Sequence, residues 1–474
     1  IITAPTLTPI IKPWISELVT DKARLNELVT KYESPINIYN KGEFHHNIQA
    51  FKDLADELEM DLGVFFARKA NKSRNFVTEA KAAGIGVDTA SYQEVKDCIE
   101  EGIPADQIVL TAAIKNRKLL TLAVQNNVLI VLDNRDELDL LAQICGEQNQ
   151  NCRIGLRISG FLFEDARPTR FGFVMDEAYE LITQEFVENE AYKHFEFQGF
   201  HFHVNGYSVK ERATALIQTI QLSDKLHENG IKVNFIDIGG GFLINYLENK
   251  EEWDTFHKEL IKSVSNKAEP ITFQNDPLGM VYHHGEIIGK PKVYPYYNET
   301  AKDDFLRQIV ESNFDEDTKV FEALKSRGIQ LRIEPGRSLL DQTGITVAEV
   351  MFRKTNSNGT NFVGLAMNRT QLKSSSEDFL LDPIYIPINE VEDIGKEETY
   401  SCYLVGSYCL EQELILKRRI DLPHKPAVGD LICFVNTAGY MSHFYESQAH
   451  LLPLSKNIFF GNEACFEDDA EDIY

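Results

Sequence analysis

Two segments of the sequence carry nitrogen groups that could act on a carbonyl compound with a flat ring, one by a covalent bond and the other by stacking and hydrogen bonding. Lys69 follows an apolar, β-rich run, where partial desolvation frees an amine for Schiff-base formation. His201 and His203 are separated by Phe202, so a strand would present both imidazoles on one face, one to stack on a ring and one to hydrogen-bond. A surface lysine and a pair of core histidines are the alternative interpretations, and no third metal ligand accompanies the histidines.

Two further segments combine backbone freedom with charge. The triplet Gly239 to Gly241 follows a β-rich run, and three glycines allow backbone N–H groups to close on an oxyanion such as phosphate. No GK[ST] sequence follows, which excludes a Walker loop, and a tight turn is the alternative. In the sequence EPGR, Glu334 could hold a pyridine nitrogen protonated and Arg337 could bind phosphate. The alternative is a Glu–Arg surface pair.

Together these residue types meet the needs of one cofactor, pyridoxal phosphate (PLP). A lysine would bind its aldehyde, a histidine would stack on its ring, and a carboxylate would contact the ring nitrogen. Glycines and an arginine would hold its phosphate. The combination is more specific than any single motif, because the alternative interpretations explain each motif alone but not all of them together.

The elements that must position these residues alternate between strand and helix. Helical patterns separate the β-rich runs, which indicates parallel strands joined by helical crossovers. About eight such units favour a (β/α)8 barrel over an open doubly wound sheet, and the active site of such a barrel lies at the C-terminal ends of its strands. The predicted strands are VFFAR (64–68), IGVD (85–88), IVLT (108–111), LIVLD (129–133), IGLRI (154–158), GFHFHV (199–204), VNFIDI (233–238) and IQLRIE (329–334).

The sequence predicts three parts. Residues 1–40 form an N-terminal segment that packs with the β domain, residues 41–344 form the barrel, and residues 345–474 form a C-terminal all-β domain. The stretch at about 245–325 is longer than one crossover needs, so it is predicted to be an insertion. Strands of the C-terminal domain are predicted at ITVAEVMFRK, NFVGLAMN, PIYIPI, YSCYLVGSY, LILKRRIDL, DLICFVN and SQAHLLPL.

Composition excludes several classes of partner. The 474-residue chain has a formal net charge of −25, which argues against nucleic acid and anionic membranes as partners and leaves a small-molecule substrate. Its seven cysteines form no CxxC pair, which argues against a disulfide framework or a zinc site and favours a reducing compartment. No apolar stretch approaches the roughly 18 residues of a membrane helix, and no signal-peptide pattern is present. A cytoplasmic location is therefore expected.

These motifs resemble those of the fold-type III PLP-dependent decarboxylases, the group of diaminopimelate, ornithine and arginine decarboxylases. The resemblance covers most of the chain, from about Ser34 to the last strands. It implies that Lys69 forms the Schiff base and that His203 lies over the pyridine ring. It also implies two supporting acids, Asp88 and Glu94. The other cofactor-site residues that it implies are Arg157, Gly239, Gly240, Gly241, Glu334, Gly336, Arg337 and Tyr440.

The resemblance extends to the C-terminal part and includes departures from the family pattern. GSYCLEQE resembles the family's Gly-Pro-x-Cys segment, which implies that Cys409 donates a proton in the neighbouring subunit's site. Shared sites of this kind imply an obligate homodimer. The family's usual His-Val-Gly-Ser becomes His203 to Gly206, so the phosphate-binding serine is missing or replaced by Ser208.

The substrate-binding positions also differ from the family. Diaminopimelate decarboxylases carry Arg-Pro-x-x-Tyr to hold the substrate's distal carboxylate, where this chain has Asp382 and Tyr385. An aspartate there would repel a carboxylate and favour an amine or a hydroxyl. The acids Glu411 and Glu413, displaced from the family's position, are further candidates for substrate contacts. The pattern indicates a divergent branch whose substrate cannot be transferred from a named member.

The sequence therefore predicts PLP-dependent decarboxylation of an amino acid or an amino-acid-derived substrate through a Schiff base on Lys69. An amino-acid racemase of the same barrel type is one alternative, although Glu334 disfavours it because racemases do better with an arginine at the ring nitrogen. A non-catalytic regulatory homologue is another alternative, which the presence of Lys69 disfavours.

Overall fold

A computed structural model of the protein describes residues 4–164, 167–374, 379–388, 399–460 and 466–468. The chain divides into two compact units. The first, here called the barrel unit, comprises His45–Leu243 and Thr300–Leu339. The second, here called the sheet unit, comprises Ile1–Phe44, Ile244–Glu299 and Leu340–Tyr474.

The barrel unit contains eight parallel strands, each paired with the next, and the last pairs with the first. This closed circuit confirms the predicted (β/α)8 barrel. The third and fourth strands are buried along their whole length, as expected for parallel strands covered on both faces. The barrel strands are β1 (Leu62–Ala67), β2 (Gly86–Thr89), β3 (Ile108–Leu110), β4 (Leu129–Leu132), β5 (Cys152–Ser159), β6 (Phe195–His201), β7 (Phe235–Asp237) and β8 (Gln330–Ile333).

Helices follow the strands, and several begin at residues that cap them. Ser91, Asn116, Asn134 and Ser208 each accept a hydrogen bond from a backbone N–H in the first turn of the helix that follows. The longer α-helices of this unit are α1 (Lys41–Glu57, which starts in the sheet unit), α2 (Asn75–Ala82), α3 (Tyr92–Glu101), α4 (Arg117–Gln125), α5 (Arg135–Gln148), α6 (Met175–Glu180), α7 (Val209–Glu228), α8 (Lys302–Val310) and α9 (Val320–Arg327), and a single short turn of α-helix covers Phe186–Glu188.

The sheet unit is built around a second sheet, which confirms a mostly β C-terminal domain. The early strand Ile36–Asn40 pairs antiparallel with Gly344–Thr355 and parallel with Lys456–Phe460. The N-terminal segment is thus part of this sheet. Its other strands are Asn361–Leu365, Ile384–Ile386, Tyr400–Val405, Ile420–Leu422, Leu431–Val435 and Phe466–Asp468, and its helices are Pro13–Thr20, Lys22–Tyr32 and Lys250–Val264.

Two expectations about the second half of the chain differ from the structure. The segment SQAHLLPL is not a strand, because His450 and Leu451 have positive φ angles of 58° and 57° that break an extended chain. The stretch 245–325 is not one insertion: Ile244–Glu299, with a hairpin of Val281–His283 and Glu286–Ile288, belongs to the sheet unit. Its remainder forms α8 and the start of α9 in the barrel unit.

Among the described residues, no helix is both long enough and apolar enough to cross a membrane.

Candidate active site

Lys69 lies where the sequence predicts it, in a single turn of 3-10 helix (Arg68–Ala70) directly after β1. The buried Arg68 side chain anchors this turn through Nη2, 3.1 Å from Asp97 Oδ2. Lys69 Nζ lies 3.2 Å from Asp88 Oδ2, and Asp88 is buried in β2. The Thr111 hydroxyl donates to the other Asp88 oxygen. Asp88 therefore holds the amine in place, while 37% of the Lys69 side chain stays exposed.

Backbone hydrogen bonds join the loops that follow three strands. The Ala67 N–H at the end of β1 donates to Pro335 O at 3.2 Å. The Glu334 N–H donates to Gly239 O at 2.8 Å. The lysine turn, the glycine triplet and the EPGR segment are thereby brought together at the C-terminal ends of the strands, where barrel active sites lie.

A buried cluster of titratable groups lies at the same end of the barrel. His201 Nε2 is 3.2 Å from the Glu334 carboxylate, and Asp237 Oδ1 accepts the Gly239 N–H at 2.9 Å. All three side chains are at most 3% exposed. Burial raises the pKa of Glu334, raises that of Asp237 well above its usual value, and lowers the pKa of His201 to about 4. The cluster therefore favours neutral groups until a positive partner is bound.

The hydrogen bonding of the Glu334 carboxylate shows whether the cluster can accept a PLP ring. Glu334 Oε1 is buried and lies 3.2 Å from His201 Nε2, but it makes no hydrogen bond with any described residue. Such an unsatisfied carboxylate oxygen suits a protonated ring nitrogen, which would supply both the missing hydrogen bond and the opposite charge. The ligand atoms of His201, Asp237 and Glu334 also lie within 4.8 Å of one another, as they would to hold a metal ion.

The backbone conformation of the glycine triplet shows whether a phosphate can bind there. Gly239 and Gly241 have φ angles of +69° and +84°, and a Cβ on Gly240 would lie 2.6 Å from Glu334 O. A side chain is therefore excluded at this turn. Within the described part of the chain, the N–H groups of Gly240, Gly241 and Gly336 donate to no acceptor. Clustered N–H donors of this kind suit an oxyanion. Arg337, which follows Gly336 in the chain, is buried.

Two further predicted residues belong to the barrel unit. The His203 ring packs on Gly239, where a Cβ would lie 2.8 Å from its Cδ2 atom. His203 is exposed, but desolvation, and then the cations Lys69 and Arg212, lower the pKa of its imidazole below the usual value. Arg157, in β5, has its guanidinium 4.1 Å from the centre of the Phe171 ring.

Two family models together match residues 44–438 of the chain. The model for the pyridoxal binding domain of pyridoxal-dependent decarboxylases matches residues 44–281, and the model for their C-terminal sheet domain matches residues 173–438. The chain belongs to the pyridoxal-dependent decarboxylase family. Its cofactor is therefore PLP, which the unsatisfied Glu334 oxygen and the free N–H groups at the glycine turn accommodate.

Individual relatives are similar over nearly their full length. The uncharacterised protein y4yA of Sinorhizobium fredii is 27% identical, covering 98% of this chain and 95% of that protein. An L-glutamyl-[BtrI acyl-carrier protein] decarboxylase of Niallia circulans is 24% identical, covering 91% and 89%. The crystal structure of Helicobacter pylori diaminopimelate decarboxylase with L-lysine superposes with a TM-score of 0.68 at 18% identity, covering 94% and 95%.

Six of the predicted site residues lie in the sheet unit. Cys409 and Glu411 are exposed in a loop closed by the Gly406 N–H, which donates to Glu413 O at 3.2 Å. The Glu413 side chain is buried, and its Oε1 accepts the Arg369 N–H at 2.8 Å. Glu413 thus holds the loop from inside, while Cys409 and Glu411 are accessible at its tip.

The other sheet-unit candidates have partners of their own. Asp382 forms an ion pair with the buried Arg418 and accepts the Leu7 N–H at 3.0 Å. The Tyr385 hydroxyl donates to Asp430 Oδ2 at 2.6 Å. The expectation that Asp382 would repel a carboxylate does not fit this geometry, because Arg418 already balances its charge. Tyr440 has a positive φ of 67°.

A cavity of about 880 Å³ lies in the sheet unit beside the Cys409 loop. Leu410 and Glu411 of the loop line it, and so does Phe273 from the segment before the last barrel strand. The Phe273 N–H donates to Lys417 O at 2.8 Å, which fixes this segment along the chain that follows the loop.

Sequence reasoning missed three residues of the barrel site: Thr111, Asp237 and Arg212. Asp237 carried a usable signal, because it precedes the glycine triplet by two residues and ends a strand. Thr111 ends the run IVLT and gave no sign of its contact with Asp88. Arg212 lies in the first turn of α7, where a cation in the sequence suggests only a solvated helix face.

Proposed function

We propose that this chain decarboxylates an amino acid or an amino-acid-derived substrate, with PLP attached to Lys69 as a Schiff base. The observation that carries the proposal is the pairing, at one end of one barrel, of a lysine amine held by Asp88 with the buried carboxylate of Glu334. Membership of a decarboxylase family supports the reaction class.

The residues of the barrel site would hold PLP and keep its ring nitrogen protonated. PLP, when bound, supplies an electron sink for the pair of electrons left on the α-carbon as the carboxylate leaves. Glu334 keeps the ring nitrogen protonated through its unsatisfied oxygen, and Asp88 orients the Lys69 amine. Gly240, Gly241, Gly336 and Arg337 bind the phosphate, and His203 covers the ring.

A racemase is the nearest competing function. It would need a weaker electron sink, which an arginine at the ring nitrogen would provide and which Glu334, buried with His201 and Asp237, does not. The relatives suggest which substrates to test first: one was crystallised with L-lysine, and another is named for glutamate carried on an acyl-carrier protein.

The function is tested by incubating the PLP-loaded protein with diaminopimelate, lysine, ornithine, arginine, glutamate and carrier-bound glutamate. Released CO2 and the optical configuration of the amino acid are measured in the same samples. We expect CO2 release with at least one substrate. Inversion of configuration without CO2 would identify a racemase. Failure of the protein to take up PLP, together with no change in any substrate, would indicate a regulatory homologue.

We also propose that the active site is shared between two copies of the chain, with Cys409 of one copy serving the Lys69 site of the other. The exposed position of Cys409 at a loop tip supports this arrangement. Lys69→Ala and Cys409→Ala proteins should each lose most activity alone. Mixed in equal amounts after reversible dissociation, they should recover about a quarter of wild-type activity, because half of the dimers contain one intact site. A mixture no more active than its components would refute the shared site.

A further inference from the structure

Arg212 is a buried cation that links two loops of the barrel site. None of its surface is exposed. Its Nη2 atom lies 2.7 Å from Gly206 O, 3.1 Å from Val204 O and 3.4 Å from Gly240 O. The side chain thus connects the segment after β6 with the glycine triplet after β7, and a side chain at Gly241 would collide with the guanidinium.

The charge of Arg212 has no ion-pair partner inside the described part of the chain, although Glu211 and Tyr207 favour it electrostatically. No Asp or Glu of the described residues forms an ion pair with it, and its hydrogen-bond acceptors are neutral carbonyl oxygens. Its Nε is buried and donates to no described residue. Burial lowers the pKa of Arg212 to about 10, which leaves the group charged at neutral pH. A buried charge without a counter-charge is costly, so this position favours an anion nearby.

The surroundings of Arg212 point to the same anion as the glycine turn. Tyr207 has a pKa raised by desolvation, and the two groups that oppose this shift are Arg337 and Arg212. Both guanidiniums therefore act on one phenol, in one electropositive region. The Gly240 carbonyl faces Arg212, and it belongs to the turn in which the N–H groups of Gly240 and Gly241 have no acceptor among the described residues.

Ser208, the candidate replacement for the family's phosphate-binding serine, has another task. Its Oγ accepts the Glu211 N–H at 3.1 Å and caps α7. The next residue of this turn with a polar group directed towards the glycine triplet is Arg212.

We propose that Arg212 is a positioning residue of the PLP phosphate site, supplying from α7 a positive charge behind the glycine turn where the family pattern has a serine. The inference rests on the proposed function only in requiring that PLP binds. The guanidinium acts by its charge and by fixing the Gly240 carbonyl, so that the turn keeps its shape.

The test compares two ligands that differ only by the phosphate, PLP and pyridoxal, titrated into cofactor-free protein and followed by absorbance. Arg212→Met should weaken PLP binding roughly 10- to 100-fold, the range for a hydrogen bond to a charged group, and change pyridoxal binding little. Arg212→Lys, which keeps the charge, should restore much of the preference for PLP. Lys210→Met is the matched control, because it removes an exposed cation from the same helix turn.

Three outcomes separate the explanations. An unchanged ratio of the two dissociation constants in Arg212→Met, whether both ligands weaken equally or neither weakens, overturns the inference and leaves Arg212 a loop-holding residue. If Arg212→Met does not fold, the ratio in Arg212→Lys and Arg212→Gln decides: a ratio equal in both overturns the inference. If the wild-type protein binds neither ligand, the proposed function itself fails.

Discussion

Replacement of Lys69 by alanine or by arginine is expected to abolish retention of the cofactor and to lower decarboxylation roughly 100- to 10,000-fold. Alanine removes the amine that holds PLP. Arginine keeps a cation beside the buried Asp88 and so preserves the ion pair, but it offers no nucleophilic primary amine. Both proteins should lose the visible absorbance band of lysine-bound cofactor, and this band and the CO2 release rate are the two measurements.

The comparison of the two variants separates chemistry from electrostatics. If loss of the ion pair were the cause, Lys69→Arg would retain activity and only Lys69→Ala would fail, because Asp88 would be left buried without its cation. Lys72→Ala serves as the control for a lysine in the same segment, and it should keep both the band and the rate. Retained activity in Lys69→Arg would contradict the assignment of Lys69.

The sequence was informative about this site wherever a functional residue ends a buried strand. Strand runs of β-branched and aromatic residues predicted all eight barrel strands, and in a parallel barrel the strand ends must converge. The ends of β1, β7 and β8 therefore located Lys69, the glycine triplet and Glu334 at one face before any contact was known. The closure of the barrel follows from the same alternation of strand and helix.

The parts that could not be predicted depend on contacts between residues distant in sequence. Asp382 looks like a substrate-facing acid until Arg418, 36 residues later, is seen to neutralise it. Ser208 looks like a phosphate ligand until its hydroxyl is seen to cap α7. The segment 447–454 reads as a strand, but the partner strand Ile36–Asn40 pairs with 456–460 instead. Local pattern specifies an element's type better than its partner, because partners are chosen by tertiary packing.

The substitution Glu334→Gln is expected to lower decarboxylation roughly 100- to 1,000-fold, the usual cost of removing one preorganised electrostatic group, while PLP remains attached to Lys69. Glutamine keeps the size of the side chain but cannot carry the negative charge that holds the ring nitrogen protonated. The turnover rate and the visible spectrum are measured on the same sample. Glu137→Gln is the control, a buried carboxylate of the barrel unit that pairs with Lys115 at 3.0 Å. A Glu334→Gln protein that keeps more than about a tenth of the rate would contradict this role.

Glu334→Gln should also make the cofactor-free protein more stable than the wild type at high pH. Burial raises the pKa of Glu334, so its folded form binds a proton more tightly than its unfolded form does. The wild-type free energy of unfolding must therefore fall as the pH rises above the ordinary range of a glutamate. Glutamine does not titrate, so this part of the loss should vanish, and urea unfolding at about pH 5 and about pH 8 measures it. His201 titrates in the opposite sense, because burial lowers its pKa, and Asp237 titrates in the same sense as Glu334, because burial raises its pKa. Both residues are present in the two proteins, so the difference between the proteins reports Glu334. Identical pH dependence in both proteins would show that other groups of the folded chain already stabilise the Glu334 charge. The buried carboxylate would then not need a ring nitrogen as its partner.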